Sequence, residues 1–292
     1  MSLIHALQVY PSMLILGSVI LGLLVGSFLN VVIYRLPLMM EREWKSECRV
    51  ILELDPQEPS QTGNFNLAHP NSHCPNCNAS IKPWQNIPVV SYLLLKGSCA
   101  NCHTPISIRY PIVEALTGLL SGIIAWQLGD PVPVLLALFF TWTLISLTMI
   151  DADHQLLPDQ ITLPLLWAGL AINSFGVFVP LVDAFWGAVI GYLSLWSVYW
   201  LFKLVTGKEG MGYGDFKLLA ALGAWMGWQS LLTVILMSSL VGAVVGSIIL
   251  LINKKGRNTA IPFGPYLAAA GWITLVWGDQ IAARYFQLVS VQ

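Results

Sequence analysis

Two stretches of the sequence place carboxylates at the ends of apolar runs. One reads Met149-Ile-Asp151-Ala-Asp153-His-Gln-Leu-Leu-Pro158-Asp159 and the other Gly210-Met-Gly212-Tyr-Gly214-Asp215-Phe-Lys217. Asp151 follows the run Leu144–Ile150 directly, so it is the deepest acid of the first cluster. Asp153 points to another face if the helix continues. Asp159 follows Pro158, and its natural role is to cap the next helix. Asp151 and Asp215 are far enough apart in the chain to sit on different helices and meet across a bundle. Two carboxylates that share a site cannot both ionise easily, so one acts as acid and the other as base. The base activates a water; the acid polarises a carbonyl or protonates a leaving amine. Such a pair hydrolyses a peptide bond with neither metal nor serine. No G-x-S-x-G, H-E-x-x-H or Walker A pattern offers another chemistry. The glycines before Asp215 would let the backbone approach an extended substrate strand. Position alone leaves two other readings open: an acid that merely ends a span, and the paired carboxylates of a proton-coupled transporter.

The second chemical feature is a set of cysteines. Cys74-Pro-Asn-Cys77 and Cys99-Ala-Asn-Cys102 form two C-x-x-C knuckles. A two-residue spacer lets both sulfurs of a knuckle turn toward one ion, and two knuckles supply the four thiolates of a tetrahedral Zn²⁺ site. Four protein ligands leave no open position, so the zinc would be structural. A thiol redox pair, an iron–sulfur centre and plain buried cysteines are the other readings. Cys48 is left without a role. His73 and His103 flank the knuckles and are not needed as ligands.

The elements that must hold these groups are membrane helices. The 292 residues are 56% hydrophobic and only 10% charged, with a mean hydropathy of +0.69. A soluble domain carries about 25% charged residues. A soluble protein of this length could not cover so much apolar surface. The net charge of −1 gives no footprint for nucleic acid. Seven or eight apolar segments can be marked, near 13–33, 111–129, 132–150, 160–180, 182–202, 216–229, 230–252 and 263–283, the sixth being short and running into the seventh at Gly227-Trp228. They must be helices, because lipid offers backbone groups no partner and no alternating barrel pattern appears. The first reads as an anchor rather than a secretory signal, since no basic residue precedes it.

Charge fixes the expected orientation. With eight spans, the segments 34–110, 151–159, 203–215 and 253–262 share one side, Lys217 being counted with the third. They hold all but one of the 14 Lys and Arg residues, Arg284 being the exception. The positive-inside rule places them in the cytoplasm and both termini outside. The expected architecture is an all-α polytopic membrane protein of about eight spans. It divides into a first anchor (1–33), a small zinc-stapled cytoplasmic loop domain (34–110) and a membrane core (111–292). The cytoplasm keeps thiols reduced, which argues for metal over disulfides. Glu114 and Arg109, where the second span starts, read as a span-end salt bridge.

Taken together, these residues resemble the type IV prepilin peptidases, bacterial inner-membrane enzymes that also serve type II secretion. Gly-Tyr-Gly214-Asp215 resembles their G-x-G-D motif. Four further stretches agree in order: Gly26-Ser-Phe-Leu-Asn-Val-Val-Ile-Tyr-Arg35-Leu-Pro37, the paired C-x-x-C knuckles, Asp151 with Leu157-Pro-Asp159, and Ile261-Pro-Phe-Gly-Pro265. The resemblance implies that Asp151 and Asp215 are the catalytic pair and that Cys74, Cys77, Cys99 and Cys102 are the zinc-associated cysteines. It implies removal of the basic leader from prepilins and pseudopilins after a Gly, on the cytoplasmic side. The cysteine-bearing loop marks bifunctional members, which implies N-methylation of the new terminus with S-adenosylmethionine as donor. No Gly-rich turn after a strand marks a place for that donor; Glu114 and Arg109, at the entry to the second span, are candidates there, with the span-end salt bridge as their first reading. A proton-coupled transporter and a non-enzymatic secretion assembly factor are the alternative functions.

Overall fold

The computed structural model describes residues 3–54, 65–253 and 262–290. Among these residues there is no β-strand, only helices and connecting turns. The chain separates into two compact units, 1–134 and 135–292.

In the first unit, a short helix α1 (Leu3–Val9) is followed by α2 (Pro11–Ile51), α3 (Val90–Leu94) and α4 (Arg109–Leu128). Helix α2 starts on a proline, whose missing N–H costs nothing in a first turn. The apolar run ends near Ile33 but the helix does not. It continues through Pro37 and a charged stretch, where Glu41 and Lys45 pair one turn apart. Its 41 residues reach about 60 Å, twice the hydrocarbon thickness of a bilayer. Helices α2 and α4 pack through small residues. A Cβ on Gly26 would come 2.8 Å from Glu114 Cα, and one on Gly22 would come 2.8 Å from the Thr117 carbonyl. Side chains that small let the two backbones close on each other.

The second unit holds α5 (Pro131–His154), α6 (Asp159–Asn173), α7 (Leu181–Thr206), α8 (Tyr213–Met226), α9 (Leu231–Asn253) and α10 (Gly264–Ser290), the first turn of α5 excepted. Its centre is α8. Phe216, Leu218, Leu219, Leu222 and Trp225 on this helix are fully buried. A helix apolar on every face has to be surrounded, and α6, α7 and α10 all pack on it. The α7 contact runs over Gly187 and Gly191, which meet Gly223 and Ala220. The end of α8 is closed by Asn173, whose Nδ2 donates to the carbonyls of Ala224 and Trp225 at 2.9 and 3.1 Å. Its Oδ1 accepts from the backbone of Phe178 and Val179, so the buried amide is satisfied on both sides.

Five helices among the described residues are long and apolar enough to cross a membrane: α2, α4, α5, α7 and the 228–248 stretch that includes most of α9. The chain is thus a helical, polytopic membrane protein. Of the segments marked in the sequence, 160–180 forms a shorter helix and 216–229 one of the marked length. Helix α6 has 15 residues and α8 has 14, so they extend about 22 and 21 Å against a hydrocarbon core of about 30 Å. Lys254, Lys255, Arg257 and Ile261, used above for topology and motif, lie outside the described residues.

Candidate active site and cysteine cluster

Asp151 lies in the last turn of α5, with Asp153 and His154 after it before the helix stops. Asp215 lies in the first turn of α8. Both residues are buried, at 5% and 7% exposure, although neighbouring Asp153 and Asp159 are exposed. The two carboxyls are close enough to interact electrostatically. Opposite ends of two packed helices thus bring together the pair that the sequence singled out.

Each aspartate has its own backbone anchor. The Gly264 N–H, at the start of α10, donates to Asp151 Oδ2 at 3.0 Å. A Cβ on Gly264 would stand 2.6 Å from the same oxygen, so only glycine allows this approach. Asp215 reaches back to the Gly212 backbone N–H, which satisfies one of the open donors of the α8 N-terminus. The glycines before Asp215 divide their work. Gly212 has open space around it, as an approaching substrate strand requires, whereas Gly214 lets the α8 start pack on Leu157, whose Cβ a side chain there would meet at 2.7 Å.

Further residues brace the same region. Asp159 is the first residue of α6 rather than its cap; Pro158 takes the cap position and makes no side-chain bond. The Asp159 carboxylate instead receives Lys217 Nζ on both oxygens at 2.7 Å, joining the starts of α6 and α8. Tyr199 is buried beneath Tyr213 and Phe216, and its hydroxyl accepts from Lys203, which also pairs with Glu209 at 2.8 Å. Sequence reading did not find Gly264, Lys217 or Tyr199. The Ile261–Pro265 motif was the one signal that pointed toward Gly264.

The cysteine loop of the first unit is a doubled turn. Cys74 N–H donates to Ala79 O and Asn78 N–H to Cys74 O; Cys99 N–H donates to Thr104 O and His103 N–H to Cys99 O. Asn78 and His103 take the same left-handed conformation, with φ of 55° and 57°. His103 therefore serves the turn, and His73 is exposed with Nδ1 beside Asn71 O. The four Sγ atoms lie within 4.8 Å of one another. Cys74 Sγ and Cys102 Sγ are 3.7 Å apart, against about 3.8 Å for the edge of a tetrahedron with zinc–sulfur bonds of 2.3 Å. The donor set and its spacing fit a closed four-thiolate ion site. Asn76 and Asn101 each turn their amide toward a sulfur of the other knuckle, Cys102 at 3.7 Å and Cys77 at 3.5 Å. The Thr104 hydroxyl beside Cys102 brings that thiol down to about 5, and the Cys102 backbone N–H lowers Cys99, so these groups are ready to act as thiolates. Arg35 ties this loop to α2, donating to the carbonyls of Asn66, Leu67 and Pro70.

Glu114 is not in a span-end salt bridge. It is buried, and its carboxylate accepts from the Val89 N–H at 2.7 Å and from the Ser27 hydroxyl.

Comparison with known proteins places both units. Residues 20–128 match the bacterial peptidase A24 N-terminal domain, and residues 138–247 match the type IV leader peptidase family. A prepilin leader peptidase/N-methyltransferase of Stutzerimonas stutzeri is 59% identical over 281 residues, 96% of each chain. One from Pseudomonas aeruginosa is 59% identical over 290 residues, 99% of each chain. One from Neisseria gonorrhoeae is 54% identical over 264 residues, covering 90% of this chain and 91% of its own. No solved structure matches the chain.

Proposed function

The chain belongs to the type IV leader peptidase family, and from that premise we propose that it is a membrane-embedded aspartic endopeptidase with Asp151 and Asp215 as its catalytic pair. The observation that carries this reading is the meeting of two buried carboxyls from α5 and α8, each held by a backbone N–H. The substrates are prepilins, the class named for its relatives, together with the pseudopilins that the family resemblance implies. Their basic leader is removed after a Gly, and the exposed amine is then N-methylated with S-adenosylmethionine as the donor substrate.

The pair carries one proton between its two carboxyls. The ionised partner draws a proton from water, and the water attacks the scissile carbonyl. The protonated partner hydrogen-bonds the carbonyl oxygen and then supplies a proton to the leaving amine. Because the Gly264 N–H occupies Asp151 Oδ2, the other oxygen, Oδ1, is the one free for this work. The scissile strand runs past Gly212, where the backbone is open.

Cys74, Cys77, Cys99 and Cys102 would hold one Zn²⁺, which supplies a cross-link for a loop too small to build its own core. The uneven distribution of Lys and Arg supports a cytoplasmic loop, a cytoplasm-facing site, both termini in the periplasm and eight spans in the inner membrane. The apolar outer surface of the helices meets lipid.

The test is leader removal by the purified protein in detergent. Asp151→Ala and Asp215→Ala should each abolish cleavage of a prepilin while the protein remains folded and keeps its zinc. Normal cleavage by either variant would show that the pair is wrongly assigned.

A further inference from the structure

Glu114 raises a question that leader removal does not answer. A buried carboxylate is costly unless a cation or several hydrogen bonds compensate it. Its two partners among the described residues, Val89 N–H and the Ser27 hydroxyl, are both neutral. A glutamine would accept from both equally well, so these contacts alone do not require a charge.

Val89 is also unusual. It is β-branched yet adopts φ 59° and ψ −46°, a conformation such residues avoid. Backbone strain of this kind persists where surrounding structure enforces it and gathers at functional sites. The Val89 N–H donates to Glu114 Oε2 at 2.7 Å.

Beside this pair lies a groove of about 630 Å³, wholly within the first unit. Ile15, Val19 and Leu23 of α2 form one wall; Gly118, Gly122 and Trp126 are on the α4 wall. The turn Pro88–Val90 and Ala115 form the end next to Glu114. From Ala115 to Trp126 the groove is about 16 Å long, or three turns of helix. Glycines at 118 and 122 let Leu23 and Val19 seat directly on the α4 backbone, where a Cβ would meet them at 2.9 and 2.7 Å.

We infer that this groove receives the apolar helix of the processed substrate, with its new α-ammonium at the Glu114 carboxylate, and that Glu114 serves the methyl transfer. The inference rests on the functional reading above and extends it. The occupant must be apolar along three turns and cationic at one end, and a processed pilin, an apolar helix that begins at a free amine, has both features. Before cleavage that amine is an amide, so the carboxylate meets its cation only after the cut. The ammonium gives one proton to Glu114. The neutral amine then attacks the methyl carbon of the sulfonium donor, forming N–C as C–S breaks and leaving a neutral thioether. The methylammonium product keeps the positive charge.

The test measures cleavage and methylation separately, by weighing the product N-terminus after incubation with prepilin and S-adenosylmethionine. Glu114→Gln should still remove the leader, while its methylation rate falls about 10²-fold or more. Methylation at the wild-type rate would overturn the inference and leave the peptidase reading standing. If the wild-type protein itself does not methylate, the methylation part of the functional reading fails, and this inference with it. If Glu114→Gln loses leader removal and zinc together, the fold has gone and a second measurement on the unaltered protein decides. A synthetic peptide of the processed N-terminus is coupled to the protein by a water-soluble carbodiimide. An amide on Glu114, absent with the N-acetylated peptide, is expected. Coupling only at other carboxylates would refute the site, as it would for a groove that holds lipid.

Discussion

Gly264 and Asp151 lie 113 positions apart, yet the hydrogen bond between them fixes which carboxylate oxygen is free. A methyl group at Gly264 would press on Oδ2 and turn the carboxyl. Gly264→Ala should therefore lower kcat for leader removal by about 10²-fold, the cost of displacing a reacting group by roughly 1 Å. Its zinc content and helical circular dichroism should stay at wild-type values. Unchanged kcat would mean that this N–H does not position Asp151. Asp159 teaches the complementary lesson. Its place after a proline suggests a helix cap, but the structure gives it Lys217 instead. The cap rule reads only the local chain, while the lysine arrives from another helix.

At the level of elements, α8 carries Asp215 and is also the most buried helix of its unit. That burial fixes the depth and rotation of the helix, and so of the carboxylate. The Lys217–Asp159 pair then ties its first turn to the start of α6. Both side chains are partly exposed, at 27% and 54%, so the pair adds at most about 1 kcal/mol of stability. Its value lies in register. Asp159→Asn and Lys217→Met should each reduce kcat several-fold with little change in thermal stability. In a double-mutant cycle the double variant should be no worse than either single one. Strictly additive losses would show that the two residues act separately.

For the whole molecule, the two units and the membrane set the remaining predictions. Zinc analysis should find one ion per chain, and Cys74→Ser should lose it, with faster proteolysis in the loop. Retained zinc in that variant would exclude the four-thiolate site. Cys48 is exposed and stands apart from the cluster, on the extension of α2 past the apolar run. In intact cells a membrane-impermeant maleimide should leave Cys48 unlabelled until the inner membrane is opened. Labelling from the periplasm would reverse the topology.

Much of this was legible in the sequence, and the reason is that the signals were local. Apolar runs report spans because hydropathy sums over neighbouring residues. The C-x-x-C knuckles bring their sulfurs together within one turn. Asp151 and Asp215 could be named from motifs and from their place at the ends of apolar runs. What the sequence could not hold was any fact that depends on two distant segments touching. Only packing decided that Gly264 would anchor Asp151, that Lys217 would claim Asp159, and that Glu114 would bind a strained Val89 backbone beside a groove. The lengths of α2 and α6 also escaped it, because a helix ends where its backbone loses partners, not where its hydropathy falls.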